Sequence, residues 1–170
     1  MVASGDIVFA DDVNAGRTRA FVKANLTART STTTYANDPE LVAIPLEVAL
    51  FEIELVLLFT LTTTNTQKIK TQWSFTGTWD NQVRACIGPG VAQVGAPGTV
   101  SDANMGGYRA SDQDAIYDIA AGGTYGVARE TAILNVTVAG NMALSWAQAA
   151  SVANATTVQP GTSFRIRRLL

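Results

Sequence analysis

The 170-residue sequence contains no histidine. That removes the side chain that most often acts as a general base or metal ligand near neutral pH. Serine–histidine–aspartate and cysteine–histidine arrangements are therefore excluded. Cysteine is nearly missing too. Cys86 stands alone, so no disulfide can close within the chain, and a tetrahedral zinc site is not expected. Small secreted domains often carry paired cysteines, so their absence fits assembly in a reducing cytoplasm. Charge is scarce: Asp, Glu, Lys and Arg make up 15% of residues, where about 25% is usual. The net charge of −2 supplies no field to draw nucleic acid or an anionic membrane. Met1-Val2-Ala3-Ser4-Gly5-Asp6 lacks the basic and apolar regions of a signal peptide. The most apolar stretch, Leu41 to Leu61, is broken by Glu47, Glu52 and Glu54 and reads as buried strand, not membrane helix. Coiled-coil heptads and internal repeats are also missing.

Hydrophobic residues account for 47% of the chain, and Thr, Ala, Gly and Val are abundant. This composition suits a compact β protein with much of its surface covered, and it is opposite to that of a disordered chain. The length suits one domain, which at this size buries about 70% of its unfolded surface without metals or disulfides.

Residues 1–17 read as a short N-terminal arm, and residues 18–170 as one domain. Ala20–Ala24 and the Thr-rich Ser31–Tyr35 read as strands, and Asn37-Asp38-Pro39 as a turn. Phe51-Glu52-Ile53-Glu54-Leu55 alternates with period two. The following Val56-Leu57-Leu58-Phe59 is apolar on both faces, so a second layer or a neighbouring subunit is expected to cover Val56 and Leu58. Lys68–Phe75 alternates again, and the pair from Phe51 to Phe75 reads as a hairpin. Trp79-Asp80-Asn81 reads as a turn and Val83–Ile87 as a strand. Gly88–Gly107 is loop-rich. Ala115–Ile119 is a short strand or a turn of helix. Thr131–Val138 and Met142–Gln148 read as a strand and its return around Ala139-Gly140-Asn141. Thr156–Val158, a Gln159-Pro160-Gly161 turn and Ser163–Leu169 close the chain. The fold class is therefore all-β, with about eight or nine short strands. Their spacing favours a jelly-roll-like β-sandwich over a βαβ fold.

Little in this pattern carries chemistry. Glu52 and Glu54, or Asp112, Asp114 and Asp118, are the only candidates for paired acid–base carboxylates. The first pair is expected to meet arginines or solvent, and the second group to be solvated turn residues. Gly88-Pro89-Gly90 lacks the Lys and Ser/Thr of a phosphate loop. Cys86 reads as a buried, inert thiol, and Trp73 and Trp146 read as core. Trp79 and Tyr108 are the candidates for stacking on a glycan. Arg165, Arg167 and Arg168 form a basic end suited to pairing with subunit carboxylates, which makes Val56, Leu58, Arg165 and Arg167 the candidate subunit interface. No catalytic residue, metal or cofactor is expected.

Three segments carry a resemblance. Residues 139–169 run from Ser145-Trp146-Ala147-Gln148 through Ala155-Thr156-Thr157-Val158 to Gly161 and Phe164-Arg165-Ile166-Arg167-Arg168. They resemble the ending of bacteriophage minor structural proteins. Thr32–Leu41 and Lys68-Ile69-Lys70-Thr71-Gln72-Trp73 are similar to an early strand and turn and to a central strand of the same proteins. The resemblance implies a non-enzymatic virion protein with a jelly-roll-like domain, acting as a homotrimer. The absence of a fibrous shaft favours a capsid decoration protein bound to the major capsid protein on the virion surface. A minor tail protein, tail fibre or spike module that binds a receptor or glycan is the alternative.

Overall fold

The computed structural model describes residues 17–62, 67–80, 83–89, 107–110, 113–119 and 125–169, with residues 107–110 described by their backbone alone. The expected arm, the turn residues 63–66, most of the Gly-rich segment and Asp112 lie outside the described residues. No helix occurs among the described residues. Fourteen strands do: β1 Thr18–Val22, β2 Thr27–Arg29, β3 Ala36–Asn37, β4 Ile44–Leu46, β5 Ala49–Leu61, β6 Ile69–Phe75, β7 Thr78–Asp80, β8 Val83–Ile87, β9 Gly107–Ala110, β10 Ala115–Tyr117, β11 Tyr125–Val138, β12 Gly140–Gln148, β13 Thr156–Val158 and β14 Ser163–Arg168.

They form two antiparallel sheets that pack as a sandwich. The larger runs β1-β14-β5-β11-β8-β9, with β2 and β13 continuing the lines of β1 and β14, and β7 pairing with β11 beyond β8. The smaller runs β10-β6-β12-β3, with β4 also on β12. β1/β2, β3/β4 and β13/β14 each act as one interrupted strand. With each pair counted once and the β7–β9 insertion set aside, the principal strands number eight. The first, eighth, third and sixth lie side by side facing the second, seventh, fourth and fifth, which is jelly-roll order.

Alternation explains which side chains fill the space between the sheets. Phe51, Ile53, Leu55, Leu57, Phe59 and Leu61 of β5 are all buried, as are Leu134 and Val136 of β11 and Met142, Leu144 and Trp146 of β12. Each such side chain contributes about 1.5–3 kcal/mol on leaving water. Trp73 packs edge-on against Phe164 at 5.5 Å, linking β6 to β14. Trp73 and Trp146 are core, and Cys86 is buried, as the sequence indicated.

Four local expectations need correction. Phe51 to Phe75 is not a hairpin, because β5 belongs to the larger sheet and β6 to the smaller. Nor do Thr131–Val138 and Met142–Gln148 pair with each other: β11 pairs with β5, and β12 with β6. In both cases the apolar faces meet across the core, whereas a hairpin would set the strands side by side. Ala139-Gly140 is a corner at which the chain changes sheet. Trp79 lies in strand β7, not in a turn. Ser31–Tyr35 is not a strand; it crosses β12 with isolated bonds such as Gln148 N–H to Thr32 O at 3.3 Å.

Candidate functional site

Among the described residues, polar clusters are buried between the sheets: Gln67 and Gln148 both donate to the Thr156 hydroxyl, at 3.0 and 3.4 Å, and two further clusters are built on ion pairs. Arg84 on β8 and Glu130 on β11 are fully buried and ion-paired. The Glu130 carboxylate also accepts from the Thr71 hydroxyl at 2.5 Å and the Tyr117 hydroxyl at 2.8 Å. Arg84 donates to the Thr71 carbonyl at 2.7 Å and the Gln113 carbonyl at 2.5 Å. Burial opposes the charge of Arg84, but the neighbouring Glu130, Cys86 and Tyr117 together outweigh it and raise its pKa. Burial, reinforced by the Glu130 charge, pushes the Tyr117 phenol far up, so it stays a donor. The cluster pins β8 and β11 to β6 and β10 and is closed to solvent.

The second cluster ties β1 and β2 to the smaller sheet. Lys23, 1% exposed, bonds to Asp38 at 2.9 Å, Thr27 at 2.7 Å and Glu40 at 3.3 Å. Asp38 also accepts from the Trp146 indole at 3.2 Å. Glu40 receives the Asn25 amide at 2.9 Å and the Asn25 side chain at 2.6 Å. Those bonds, helped by Lys23, lower its carboxyl from 4.5 to about 2. A depressed folded pKa means that the contribution of Glu40 to stability is complete above the unfolded value and fades as pH falls through the folded one. Glu40→Gln is therefore expected to flatten the pH dependence of stability between about 4.5 and about 2, measured by urea unfolding across that range.

Sequence reasoning missed Arg84 and Glu130. A signal was present: Glu130 shares its alternation phase with Ala128, Ala132, Leu134 and Val136, and Arg84 shares its phase with Cys86. A charge on an apolar face calls for a buried partner.

The feature open to a partner is the outer face of the larger sheet. Its cross-strand rows read Ala20–Arg165–Glu54–Thr131–Ala85, Val22–Ser163–Val56–Arg129–Ile87, Thr18–Arg167–Glu52–Ile133 and Leu58–Val127. Val56, Leu58, Arg165 and Arg167 thus share one face. Val56 and Leu58 are half-buried, with no second layer above them among the described residues. Around them Val22, Ile87, Val127 and Ile133 are 53–61% exposed, far above the burial of a finished core. Within the chain these arginines meet carboxylates: Arg167 with Glu52 at 2.5 Å, and Glu54 with Arg129 at 2.9 Å and Arg165 at 3.8 Å. Glu52, Glu54, Arg165 and Arg167, with Thr18 and Thr131, line an open hollow of about 450 Å³. Each carboxylate there is already matched by a guanidinium.

The glycan candidates fare differently. Trp79 is 6% exposed and stacked on Phe75 at 4.5 Å, so its ring faces the core and not a sugar. Tyr108 pairs with Ala85 through its backbone in β9, and its side chain lies outside what is described. Asp114 accepts from Tyr35 at 2.7 Å and Gln72 at 2.9 Å, and Asp118 pairs with Lys68 at 3.3 Å. No group of three or more His, Cys, Asp or Glu suited to a metal ion occurs among the described residues. No family model, curated protein or solved structure matches this chain.

Proposed function

We propose that this chain is a non-enzymatic structural protein of a bacteriophage particle, assembled as a homotrimer and seated on the outside of the capsid shell as a decoration protein. The open face of the larger sheet carries the reading, with sister chains as its occupants. Six strands of four to fourteen residues, spaced about 4.8 Å apart and rising about 3.4 Å per residue, span on the order of 800 Å². A standard interface buries about 800 Å² per partner. Exposed Val22, Ile87, Val127 and Ile133 add apolar surface to this face between its arginines and glutamates. Arg129, Arg165 and Arg167 are 49–61% exposed above less exposed or equally exposed glutamates, placed to reach carboxylates of a neighbour. The phage assignment draws on the resemblance in residues 139–169 and on the recurrence of jelly rolls in viral capsid domains. In this reading the work is mechanical: the trimer bridges shell subunits and stabilises the assembled lattice by binding it.

Light scattering after size exclusion is expected to return three times the 17.9 kDa of one chain at micromolar concentration. Val127→Asp and Ile133→Asp, both outward-facing, are expected to give folded monomers. A wild-type monomer would overturn the self-association. Cryo-electron microscopy of an intact particle would place the chain on the shell; density on the tail would overturn the location.

A further inference from the structure

A second concavity lies where β1 begins and β14 ends, at one end of the sandwich. Arg17, Arg19, Glu47, Phe51 and Arg168 line this pocket of about 260 Å³. Three guanidiniums face one carboxylate there, an excess of two positive charges in a partly enclosed space. Two of the three are held in place. Arg19 donates to the Pro45 carbonyl at 3.0 Å and lies 5.9 Å from the Phe21 ring. Arg168, with a side chain 19% exposed, meets Glu47 at 3.3 Å. Arg17 is exposed, and Phe51, 1% exposed, adds an apolar wall.

We infer that this pocket receives a carboxylate from an acidic segment of a partner protein. Guanidinium groups match carboxylates with paired, charge-assisted hydrogen bonds, and anchored ones lose less side-chain freedom on binding. Arg168 already meets one carboxylate there, through a single contact with Glu47 at 3.3 Å. A peptide suits the site better than nucleic acid, because the apolar wall of Phe51 contributes to packing of a side chain beside the carboxylate. The pocket is distinct from the self-association face, and a monomer would carry it equally.

The test uses the full chain and a synthetic peptide of alternating glutamate and leucine, with a lysine–leucine peptide and a single-stranded oligonucleotide as comparisons. The acidic peptide is expected to bind saturably and to shift the Arg17, Arg19 and Arg168 side-chain N–H resonances. The Arg19→Gln/Arg168→Gln variant is expected to bind about tenfold more weakly, the loss of a charge-assisted hydrogen bond. If that variant fails to fold, the resonance map of the wild-type chain decides. Unchanged affinity in the folded variant, shifts confined to other residues, or tighter binding of the oligonucleotide would each overturn the inference.

Discussion

Replacing Arg84 by methionine is expected to lower stability by about 3–5 kcal/mol, the cost of stranding a buried charge. Both Arg84 and Glu130 have fully buried side chains. Without the guanidinium, the Glu130 carboxylate keeps only the hydroxyls of Thr71 and Tyr117 as donors. The carbonyls of Thr71 and Gln113 lose their donor as well. Desolvation, not lost attraction, dominates the penalty. The Arg84→Met/Glu130→Leu double variant should therefore recover much of the loss, because no unmatched charge remains in the core. Urea unfolding of the two single variants and the double variant measures this. A single variant within about 1 kcal/mol of wild type would mean that water reaches the cluster.

Gly77→Ala and Gly140→Ala are expected to prevent folding, or to cost about 3 kcal/mol or more, at the upper end of overpacking effects. Here the paired ribbon β6/β12 of the smaller sheet bends into β7/β11 of the larger. The Thr76 amide donates to the Asn141 carbonyl at 3.1 Å, and the Asn141 amide to the Thr76 hydroxyl at 2.8 Å, so both strands turn together. A methyl carbon on Gly77 would sit 2.1 Å from the Val138 carbonyl oxygen, and one on Gly140 would sit 2.3 Å from the Gly77 nitrogen. These neighbours are backbone atoms and cannot rotate aside. Soluble yield and thermal unfolding report the effect, and an alanine variant melting with the wild type would refute the close crossing.

The corner also shows where reading the sequence stops. Lys68–Phe75 and Met142–Gln148 were legible as strands, and for Lys68–Phe75 the inner face was legible too, because a side chain's face follows from a period of two. That period is identical whether the next strand lies beside its predecessor or across the core from it. Hence both hairpin readings had sound strands and wrong partners. Trp79 illustrates the same limit. Its neighbours Asp80 and Asn81 signal a turn, yet pairing with Val136 across β11 draws it into the larger sheet and its ring onto Phe75.

On the outer face of the larger sheet, the double-sided apolar run at Val56–Phe59 and the alternating arginines of β14 were sufficient to group Val56, Leu58, Arg165 and Arg167. The exposed residues Val22, Ile87, Val127 and Ile133 were not selected, since singly each looks ordinary, and only the register sets them around the same four side chains.

From composition and alternation alone came an all-β chain of jelly-roll type, no histidine-based or disulfide chemistry, and the inner faces of the strands around Phe51–Leu55, Ile69–Phe75 and Phe164–Ile166. These are local properties, set by side-chain type and backbone geometry. Closure of the two sheets decided that Arg84 meets Glu130, that Trp79 is hidden, and that Arg17, Arg19 and Arg168 converge on one pocket. Those contacts join residues from 46 to about 150 positions apart, and pairing over such distances is selected by burial of the whole core rather than by any local segment.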